Sequence, residues 1–388
     1  MTFNFYNYII SKSFYNYFNS SNLKSLLYLF FFISKSIMSS SNNYTITEKK
    51  IGRGNFGTVY IAKDTNGKEY AAKILNPSSE DDLGDQNELL EKIEILKRLN
   101  HPAIVHYYDI CYIKLDNLKI IQKAIITEYI PNETLKVNLD NEAHALADIN
   151  FDDTSKYIIL LGIAAAMKYL HDNGIIHRDL KLENILLDEN FYPKICDFGL
   201  SKFLPHAITG SMKLQMSGQI GTPKYMAPEL LQSSNPEYTV KSDVYSFAIV
   251  AYEIVSNQDP YKGMRCNDIL NNVVYNRRPK FPEFVPKKIQ DLISECWSHN
   301  PEERPSFDEI FAMLISDKSY LGENVNEDKI QDYFDQLVDA NVLDYSIIEH
   351  PKILKAILFH AINLENVELV ASIISNENLN INEKYVDI

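Results

Sequence analysis

The sequence predicts an α+β fold in which antiparallel strands come first and a larger, mainly helical part follows. From residue 44 to residue 75, apolar and polar residues alternate, and turn residues at 53–55 and 65–67 divide the segment into three strands. Residues 155–171 carry too many apolar side chains for a surface helix and predict a buried one. The chain has 388 residues, 45% of them apolar, which is enough for a sizeable core and for two or three domains.

Charge and cysteine content exclude some classes of function. The net charge of −14 argues against a nucleic-acid-binding protein, because such proteins gain affinity by neutralising phosphates. The charge is uneven: residues 1–50 carry five lysines and one glutamate, a balance of +4, whereas residues 317–388 carry fourteen acidic residues and five lysines, a balance of −9. The four cysteines are far apart and form no CxxC pair, which predicts a reducing, cytoplasmic environment.

Residues 1–43 are predicted to be an N-terminal extension. Their one apolar run, residues 26–33, is eight residues long. A membrane-spanning helix needs roughly 20 apolar residues, so we expect no stable membrane span. Lys24 before the run and Ser34 after it leave a targeting signal open as one interpretation. The interpretation we favour is that translation begins at Met38 and that residues 1–37 are a gene-model extension or a disordered tail.

The segment 176–200 contains the candidate catalytic and metal-binding residues. It holds Asp179, Asn184 and Asp197 at fixed spacing. The apolar run after Asn184 and a second short run before Asp197 predict a two-stranded hairpin, which brings these two residues to the same end. Carboxylate and amide oxygens are ligands that Mg²⁺ prefers. Asp179 is then expected to lie on the approach side, where a carboxylate can accept a hydroxyl proton.

A glycine-rich segment lies between the first two predicted strands. Its glycines are Gly52, Gly54 and Gly57. In dinucleotide-binding folds a GxGxxG pattern opens a helix, but here the following residues continue as a strand. The pattern therefore predicts a strand–turn–strand flap.

These motifs together resemble those of the eukaryotic protein kinases. The resemblance is carried by the His-Arg-Asp triplet that ends at Asp179, the Asp-Phe-Gly triplet that starts at Asp197, and the glycine-rich flap. It covers about residues 44–316, which we take as the kinase domain. It implies a bilobal kinase fold, with a small antiparallel β lobe plus one helix and a larger, mainly helical lobe. It also implies ATP and Mg²⁺ as cofactors and a protein as the substrate.

The resemblance implies a role for each matching residue. Asp179 would orient the substrate hydroxyl and accept its proton, Lys181 would neutralise charge on the phosphoryl group, and Lys73 would reach the phosphates. Asn184 and Asp197 would hold the metal. The implied ATP-binding residues are Ile51, Gly52, Gly54, Gly57, Val59, Ala71, Lys73, Thr127, Glu128 and Ile130.

Within that set the resemblance assigns each part of the nucleotide. The three glycines would let backbone N–H groups approach phosphate oxygens, because no Cβ stands in the way. Ile51 and Val59 would cover the adenine, and Ala72 would leave room for it. Thr127 would lie at the back of the adenine pocket, and backbone groups of residues 128–130 would face the base.

One position departs from the family pattern. The first helix of a kinase supplies a glutamate that pairs with the lysine corresponding to Lys73, but Lys92 occupies that position here. Glu88 lies one helical turn earlier on the same face, and Glu91 is adjacent but rotated by about 100°. Either glutamate is a candidate partner, and loss of the contact is the third alternative.

Several features resemble serine/threonine kinases in particular. Lys181 and the segment 221–229 match their pattern, in which Thr222 would hydrogen-bond the catalytic residues. The closing segment 296–307 resembles the tyrosine-kinase-like group of serine/threonine kinases. The resemblance further implies three structural roles. Asp243 would hold the backbone of the catalytic loop, Arg304 would pair with Glu229, and His177 would be a satisfied structural histidine.

We therefore predict an ATP- and Mg²⁺-dependent serine/threonine protein kinase. The alternative is a kinase-shaped scaffold with weak or no phosphotransfer, which Lys92 supports and which the intact catalytic residues oppose. Cys196 is interpreted as a small buried apolar side chain, with a reactive thiol at the floor of the nucleotide pocket as the alternative.

A phosphorylation switch is predicted from the charge of Arg178. This arginine lies beside the catalytic aspartate, and a phosphate on Thr209, Ser211 or Ser217 would supply an anionic partner. The alternative is that these three residues are solvated loop residues and that backbone carbonyls satisfy Arg178.

The acidic tail, residues 317–388, is predicted to be helical. Residues 358–382 are similar to an ankyrin repeat, and such a repeat would offer a surface for a protein partner. Only one repeat and part of a second fit, whereas a stable stack needs about three. A helical hairpin packed on the kinase domain is the alternative.

Overall fold

The computed structural model describes residues 44–54, 57–75, 94–114, 121–146, 150–198, 223–233, 236–322, 324–339, 357–358, 362 and 367–374. Several predictions fall on other residues and lie outside this part of the chain. They concern the start at Met38, the glutamate candidates near Lys92, Thr222, the proposed phosphorylation sites and most of the ankyrin-like segment.

The N-terminal part of the chain forms a five-stranded antiparallel sheet in the order β1-β2-β3-β5-β4. The three strands predicted between residues 44 and 75 are confirmed, and two further strands complete the sheet. The strands are β1 (Tyr44–Gly54), β2 (Gly57–Asp64), β3 (Glu69–Leu75), β4 (Tyr107–Lys114) and β5 (Ile121–Glu128).

The side chains of strand β3 alternate between the two faces of this sheet. Ala72 and Ile74 belong to a small apolar cluster with Ala62, Ala124 and Ile126. Successive side chains on a strand point to opposite faces, so Ala71 and Lys73 lie on the other face. The expectation that Ala72 leaves room for the adenine is therefore wrong. Ala72 is fully buried inside the cluster, and Ala71 is the alanine that shares a face with Lys73.

The C-terminal part is mainly helical, so the α+β prediction is confirmed. Its helices are α1 (Leu135–Ala143), α2 (Asp153–Asp172), α3 (Pro228–Gln232), α4 (Val240–Ser256), α5 (Cys266–Val274), α6 (Lys287–Cys296) and α7 (Phe307–Ser316). Helix α2 is the buried helix predicted at 155–171. Asp152 caps its first turn by accepting a hydrogen bond from the backbone N–H of Ser155 at 2.7 Å.

The predicted hairpin is formed by β6 (Ile185–Leu187) and β7 (Pro193–Ile195). Its ladder pairs Ile185 with Ile195 and Leu187 with Pro193. The Asp188 side chain closes the turn by accepting hydrogen bonds from two backbone N–H groups, those of Asn190 and Tyr192, at 2.8 and 2.9 Å. The hairpin therefore presents its open end, with Asn184 before it and Asp197 after it, toward the sheet.

Two helices of the acidic tail are described, α8 (Glu327–Asp339) and α9 (Val367–Ile374). Helix α8 packs against α2, and its buried residues belong to the same core as the catalytic lobe. The choice between an ankyrin-like repeat and a helical hairpin concerns residues 358–382, most of which lie outside the described ranges, so it stays open. Within the described ranges, no helix is long and apolar enough to cross a membrane.

Candidate active site

A buried aspartate on helix α4 holds the backbone of the loop that carries Asp179. Asp243 is 1% exposed and accepts hydrogen bonds from the backbone N–H groups of His177 and Arg178, both at 2.8 Å. Its Oδ2 also lies 2.9 Å from His171 Nε2. Arg178 has a φ of +69°, a conformation that costs a non-glycine residue energy and persists only where its surroundings fix it. The predicted role of Asp243 is confirmed, and it explains how this strained loop is held.

The loop brings Asp179, Lys181 and Asn184 together. Lys181 Nζ donates to Asp179 Oδ2 at 2.6 Å. The side-chain amide of Asn184 donates to the Asp179 carbonyl at 2.7 Å and to Oδ2 at 3.0 Å. These contacts fix the orientation of the Asp179 carboxylate, and its side chain is still 29% exposed. The carboxylate is therefore oriented and also accessible to a hydroxyl group.

Asp197 joins the two parts of the molecule. It follows the hairpin with a φ of +61°, and its Oδ2 accepts a hydrogen bond from Lys73 Nζ on β3 at 2.6 Å. Burial acts to raise the pKa of Asp197, but the charge and hydrogen bond of Lys73 oppose it, with His177 and Lys181 adding to them. The net effect is a pKa below the ordinary value. Asp197 therefore stays ionised, as a metal ligand must.

The phenylalanine after Asp197 packs in the core next to the site. Phe198 is fully buried, and its ring lies 5.3 Å from that of Tyr107 on β4 and 6.2 Å from that of His177, both edge to face. Burial lowers the pKa of His177, although Asp243 and Asp179 oppose this shift. Its Nδ1 accepts a hydrogen bond from the Asp179 N–H at 3.3 Å. Its Nε2 is buried with no hydrogen-bond partner among the described residues. The prediction of a satisfied histidine thus holds for one ring nitrogen.

The glycine-rich flap contains one glycine whose role the sequence did not reveal. A Cβ on Gly57 would lie 2.0 Å from the backbone oxygen of Ile74, because β2 and β3 approach closely there. A Cβ on Gly52 would meet only Val59, at an ordinary 3.8 Å. Gly57 is therefore required by the sheet itself, whatever the flap binds. No pattern in the sequence marks this close approach.

The remaining predicted nucleotide residues lie in two rows across the sheet. Val59 pairs with both Gly52 and Lys73, and Ala71 pairs with Thr127. Strand β5 ends at Glu128, one residue after Thr127, and the chain continues to the buried Ile130. Gly54 pairs with Gly57 at the tip of the flap, and Ile51 is 37% exposed beside it. The structure thus gathers these residues along one part of the sheet.

The Glu128 side chain is committed elsewhere. Its carboxylate accepts a hydrogen bond from Lys194 on β7 at 3.0 Å and one from the His106 N–H at 3.3 Å. The part of Glu128 that can serve a nucleotide is therefore its backbone, as the resemblance implies.

These residues fit a magnesium–nucleotide group. Asp197 offers a carboxylate, and the hydrogen bonds of the Asn184 amide nitrogen direct its oxygen away from Asp179. Hard oxygen donors of this kind suit Mg²⁺, which usually keeps phosphate and water among its ligands. Lys73 adds a cation at the same place. The donor set therefore agrees with the predicted metal-binding role of Asn184 and Asp197.

Cys196 is only partly buried, yet its surroundings oppose formation of the thiolate. Burial raises its pKa well above the ordinary value, and the neighbouring Asp197 raises it further. A thiolate is the reactive form, so this environment opposes reactivity. The interpretation as a small apolar side chain is the one that these surroundings favour.

Two ion pairs in the helical part of the chain each have a buried cationic side chain. Arg304 donates to both carboxylate oxygens of Glu229 at 2.8 Å, which confirms the predicted pair. Lys224 was not singled out from the sequence. It is buried and lies 2.7 Å from Glu253 on α4, and Tyr225 donates to the same carboxylate at 2.6 Å. The only signal for this pair was the glutamate within the otherwise apolar stretch 247–255 of α4.

Comparison with known proteins agrees with this geometry. Residues 45–314 match the family model described as protein tyrosine and serine/threonine kinase. Among the relatives, the probable serine/threonine-protein kinase drkC of Dictyostelium discoideum is 39% identical over 276 residues, which is 69% of this chain and 34% of the relative.

Two further relatives are named for different specificities. The dual specificity protein kinase shkB of D. discoideum is 34% identical over 273 residues, 69% of this chain and 39% of the relative. The serine/threonine-protein kinase CTR1 of Arabidopsis thaliana is 34% identical over 272 residues, 69% of this chain and 31% of the relative. The matched part of the chain thus spans about a third of the length of these curated relatives.

Proposed function

Because the chain belongs to the protein tyrosine and serine/threonine kinase family, we propose that it transfers the γ-phosphate of ATP to serine and threonine hydroxyls of protein substrates. The observation that carries the proposal is the convergence of Asp179, Asn184 and Asp197 at the open end of one hairpin, with Lys73 at 2.6 Å from Asp197.

The chemistry divides among residues whose contacts are described above. Asp179 orients the substrate hydroxyl and accepts its proton, and the contacts with Lys181 and Asn184 keep its carboxylate in place. Lys73 holds phosphate oxygens, and Lys181 offsets negative charge as the phosphoryl group moves. Asn184 and Asp197 hold Mg²⁺, which when bound neutralises phosphate charge and fixes the phosphate orientation. Because little covalent chemistry falls to the protein, positioning is its main contribution.

The preference for serine and threonine is the finer part of the proposal. It is supported by Lys181 and by the segment around Thr222, and by relatives that are named serine/threonine-protein kinases. One relative is named a dual specificity kinase, and another a tyrosine-protein kinase, so tyrosine belongs in the test. We place the chain in the tyrosine-kinase-like group on its closing segment and propose that it acts in the cytoplasm.

The test is phosphate transfer by the purified full chain. We expect transfer from labelled ATP to a generic basic protein in the presence of Mg²⁺, with the label on serine and threonine after acid hydrolysis. Asp179→Asn is the matched control, because the amide keeps the size of the side chain but cannot accept the proton. Label mainly on tyrosine would contradict the proposed specificity.

The scaffold alternative predicts a different outcome. It is favoured by Lys92, which stands where the family pattern has a glutamate. If the wild-type chain transfers no more phosphate than Asp179→Asn, while both bind nucleotide in a thermal-shift assay, the chain is a scaffold and the kinase proposal is wrong.

A further inference from the structure

Helix α8 lies beyond the matched residues 45–314 and is nevertheless part of the core. Along the helix, the residues that are 4% exposed or less are Ile330, Tyr333, Phe334, Leu337 and Val338. They recur at helical spacing and form one apolar face, while polar and mostly acidic residues occupy the rest of the helix. The helix therefore belongs to the same folded unit as the catalytic lobe.

A slot in helix α2 receives one side chain of α8. A Cβ on Gly162 would lie 2.3 Å from the hydroxyl oxygen of Tyr333 and 2.5 Å from Cγ of Pro193. Only a glycine leaves room at this point, so three elements meet there: helix α2, helix α8 and strand β7. The contact joins the tail helix to the catalytic hairpin as well as to α2.

The hairpin side of this contact is aromatic. The ring of Tyr333 lies 4.5 Å from that of Tyr192, the residue that precedes β7. Helix α8 thus contacts the turn end of the hairpin through the Tyr333 ring.

The opposite end of the same hairpin carries the proposed metal ligands. Asn184 directly precedes β6, and Asp197 follows β7 by two residues. The strands are three residues long and fully paired, so a shift of the turn end moves the open end with it. The turn end has further contacts: Asn132 donates to the Asp188 carbonyl at 2.6 Å, and the ring of Phe191 lies 6.2 Å from that of Phe151. Helix α8 therefore supplies one of the supports that fix this hairpin.

We propose that α8 is an intramolecular positioning element for the metal-binding end of the hairpin, and that Tyr333 is its positioning residue. The inference rests on the proposed kinase function. It extends the catalytic unit of this chain to residue 339, beyond the part that it shares with the family. Tyr333 touches no reacting group and acts through Tyr192 and Pro193.

Helix α8 also provides a matched control. Phe334, the next residue, is as buried as Tyr333 but faces Phe311 on α7, with ring centroids 6.3 Å apart. Alanine at either position removes a buried aromatic ring from the same helix. If α8 only stabilises the fold, Tyr333→Ala and Phe334→Ala have the same effects. If α8 positions the hairpin, the two variants differ in metal dependence.

The experiment compares these variants in the full chain, at a temperature where circular dichroism shows each to be folded. We expect both to lower Tm. Tyr333→Ala alone should raise the Mg²⁺ concentration for half-maximal activity and lower kcat, each by roughly threefold to tenfold, the scale of coupling through packed side chains. Tyr333→Phe keeps the ring and should retain wild-type metal dependence. Tyr333→Leu replaces Tyr333→Ala if the alanine variant does not fold.

One outcome would refute the proposal, and a different outcome would refute the kinase function without deciding the proposal. Equal kcat and equal Mg²⁺ dependence in the Tyr333 and Phe334 variants would make α8 a structural element only. A wild-type chain without phosphotransfer would refute the kinase function alone. The inference would then be tested by the Mg²⁺ dependence of the nucleotide-induced shift in Tm, which needs no turnover.

Discussion

At the scale of single residues, the site depends on pairs of opposite charge drawn from distant parts of the sequence. Lys73 and Asp197 are separated by 124 positions and lie 2.6 Å apart. Each half of such a pair is expensive to bury alone, so removing one partner affects both the chemistry and the ionisation of the other.

Lys73→Met is expected to abolish phosphate transfer while the chain stays folded. The variant leaves the Asp197 carboxylate without its strongest cation, at a cost of about 1–3 kcal/mol in the free energy of unfolding near neutral pH. Activity and thermal unfolding of the same preparation provide the measurement. Loss of activity that accompanies complete unfolding would contradict the assigned role.

The difference in stability between wild type and Lys73→Met is expected to decrease as the pH falls. In the wild type, Lys73 and its neighbours lower the pKa of Asp197 in the folded state despite burial. A lowered pKa contributes stability above the unfolded-state value of about 4, and this is lost as pH falls through the folded-state pKa. The difference in Tm between wild type and Lys73→Met should therefore be large at pH 7 and shrink below pH 4. A constant difference would exclude this linkage.

The position of Lys92 gives a second prediction at this scale. We expect Glu88 or Glu91 to serve as an additional partner of Lys73, so that Glu88→Gln or Glu91→Gln lowers activity by at least about tenfold. The check is the rate of phosphate transfer by each variant. If neither variant changes the rate of phosphate transfer while Lys92→Glu raises it, the wild-type enzyme lacks this contact and has low activity.

At the scale of elements, the glycine-rich flap separates two requirements for glycine. Gly57 has no room for a Cβ beside β3, whereas Gly52 has ordinary space. Gly57→Ala should therefore lower the free energy of unfolding by about 1–3 kcal/mol, the usual cost of forcing extra volume into a packed region. Gly52→Ala is the matched control and should leave stability nearly unchanged. Equal shifts in Tm for the two variants would contradict this distinction.

At the scale of the whole molecule, the expected switch joins the catalytic loop to a segment outside the described residues. Arg178 lies beside Asp179, and its guanidinium carbon is 5.9 Å from the ring centroid of Tyr238, a contact that leaves its charge without full compensation. A phosphate would add about −1.5 to −2 charge, which can order a loop against an arginine. We therefore expect phosphorylation at Ser211 or Ser217, or at Thr209, to activate the chain.

Phosphatase treatment should remove most of the activity, and the Thr209/Ser211/Ser217→Ala triple variant should behave in the same way. The control is phosphatase-treated Arg178→Gln, which should lose no further activity because its receptor for the phosphate is already gone. Full activity in both the treated wild type and the triple variant would rule out the switch.

The sequence predicted the parts of the site that are local and missed those that depend on distant approaches. Asp179, Asn184 and Asp197 occur within twenty residues, so a hairpin assignment alone brings them together. The face of Ala72 was wrong because a strand alternates with every residue, and a one-residue error exchanges the two faces. The slot at Gly162 and the pair of Lys224 with Glu253 arise where separate helices and strands meet. No local pattern records such a meeting.

Asp243 also has a consequence for the order in which the molecule folds. Its carboxylate is buried in α4 and is satisfied by backbone groups that arrive from the catalytic loop. A buried carboxylate without these donors would be costly, so α4 and the loop are expected to form in one cooperative step. The amide protons of His177 and Arg178 should then exchange with solvent only through global unfolding, and no faster than those in the middle of α4. Faster exchange in native-state hydrogen-exchange experiments would mean that the catalytic loop opens by itself.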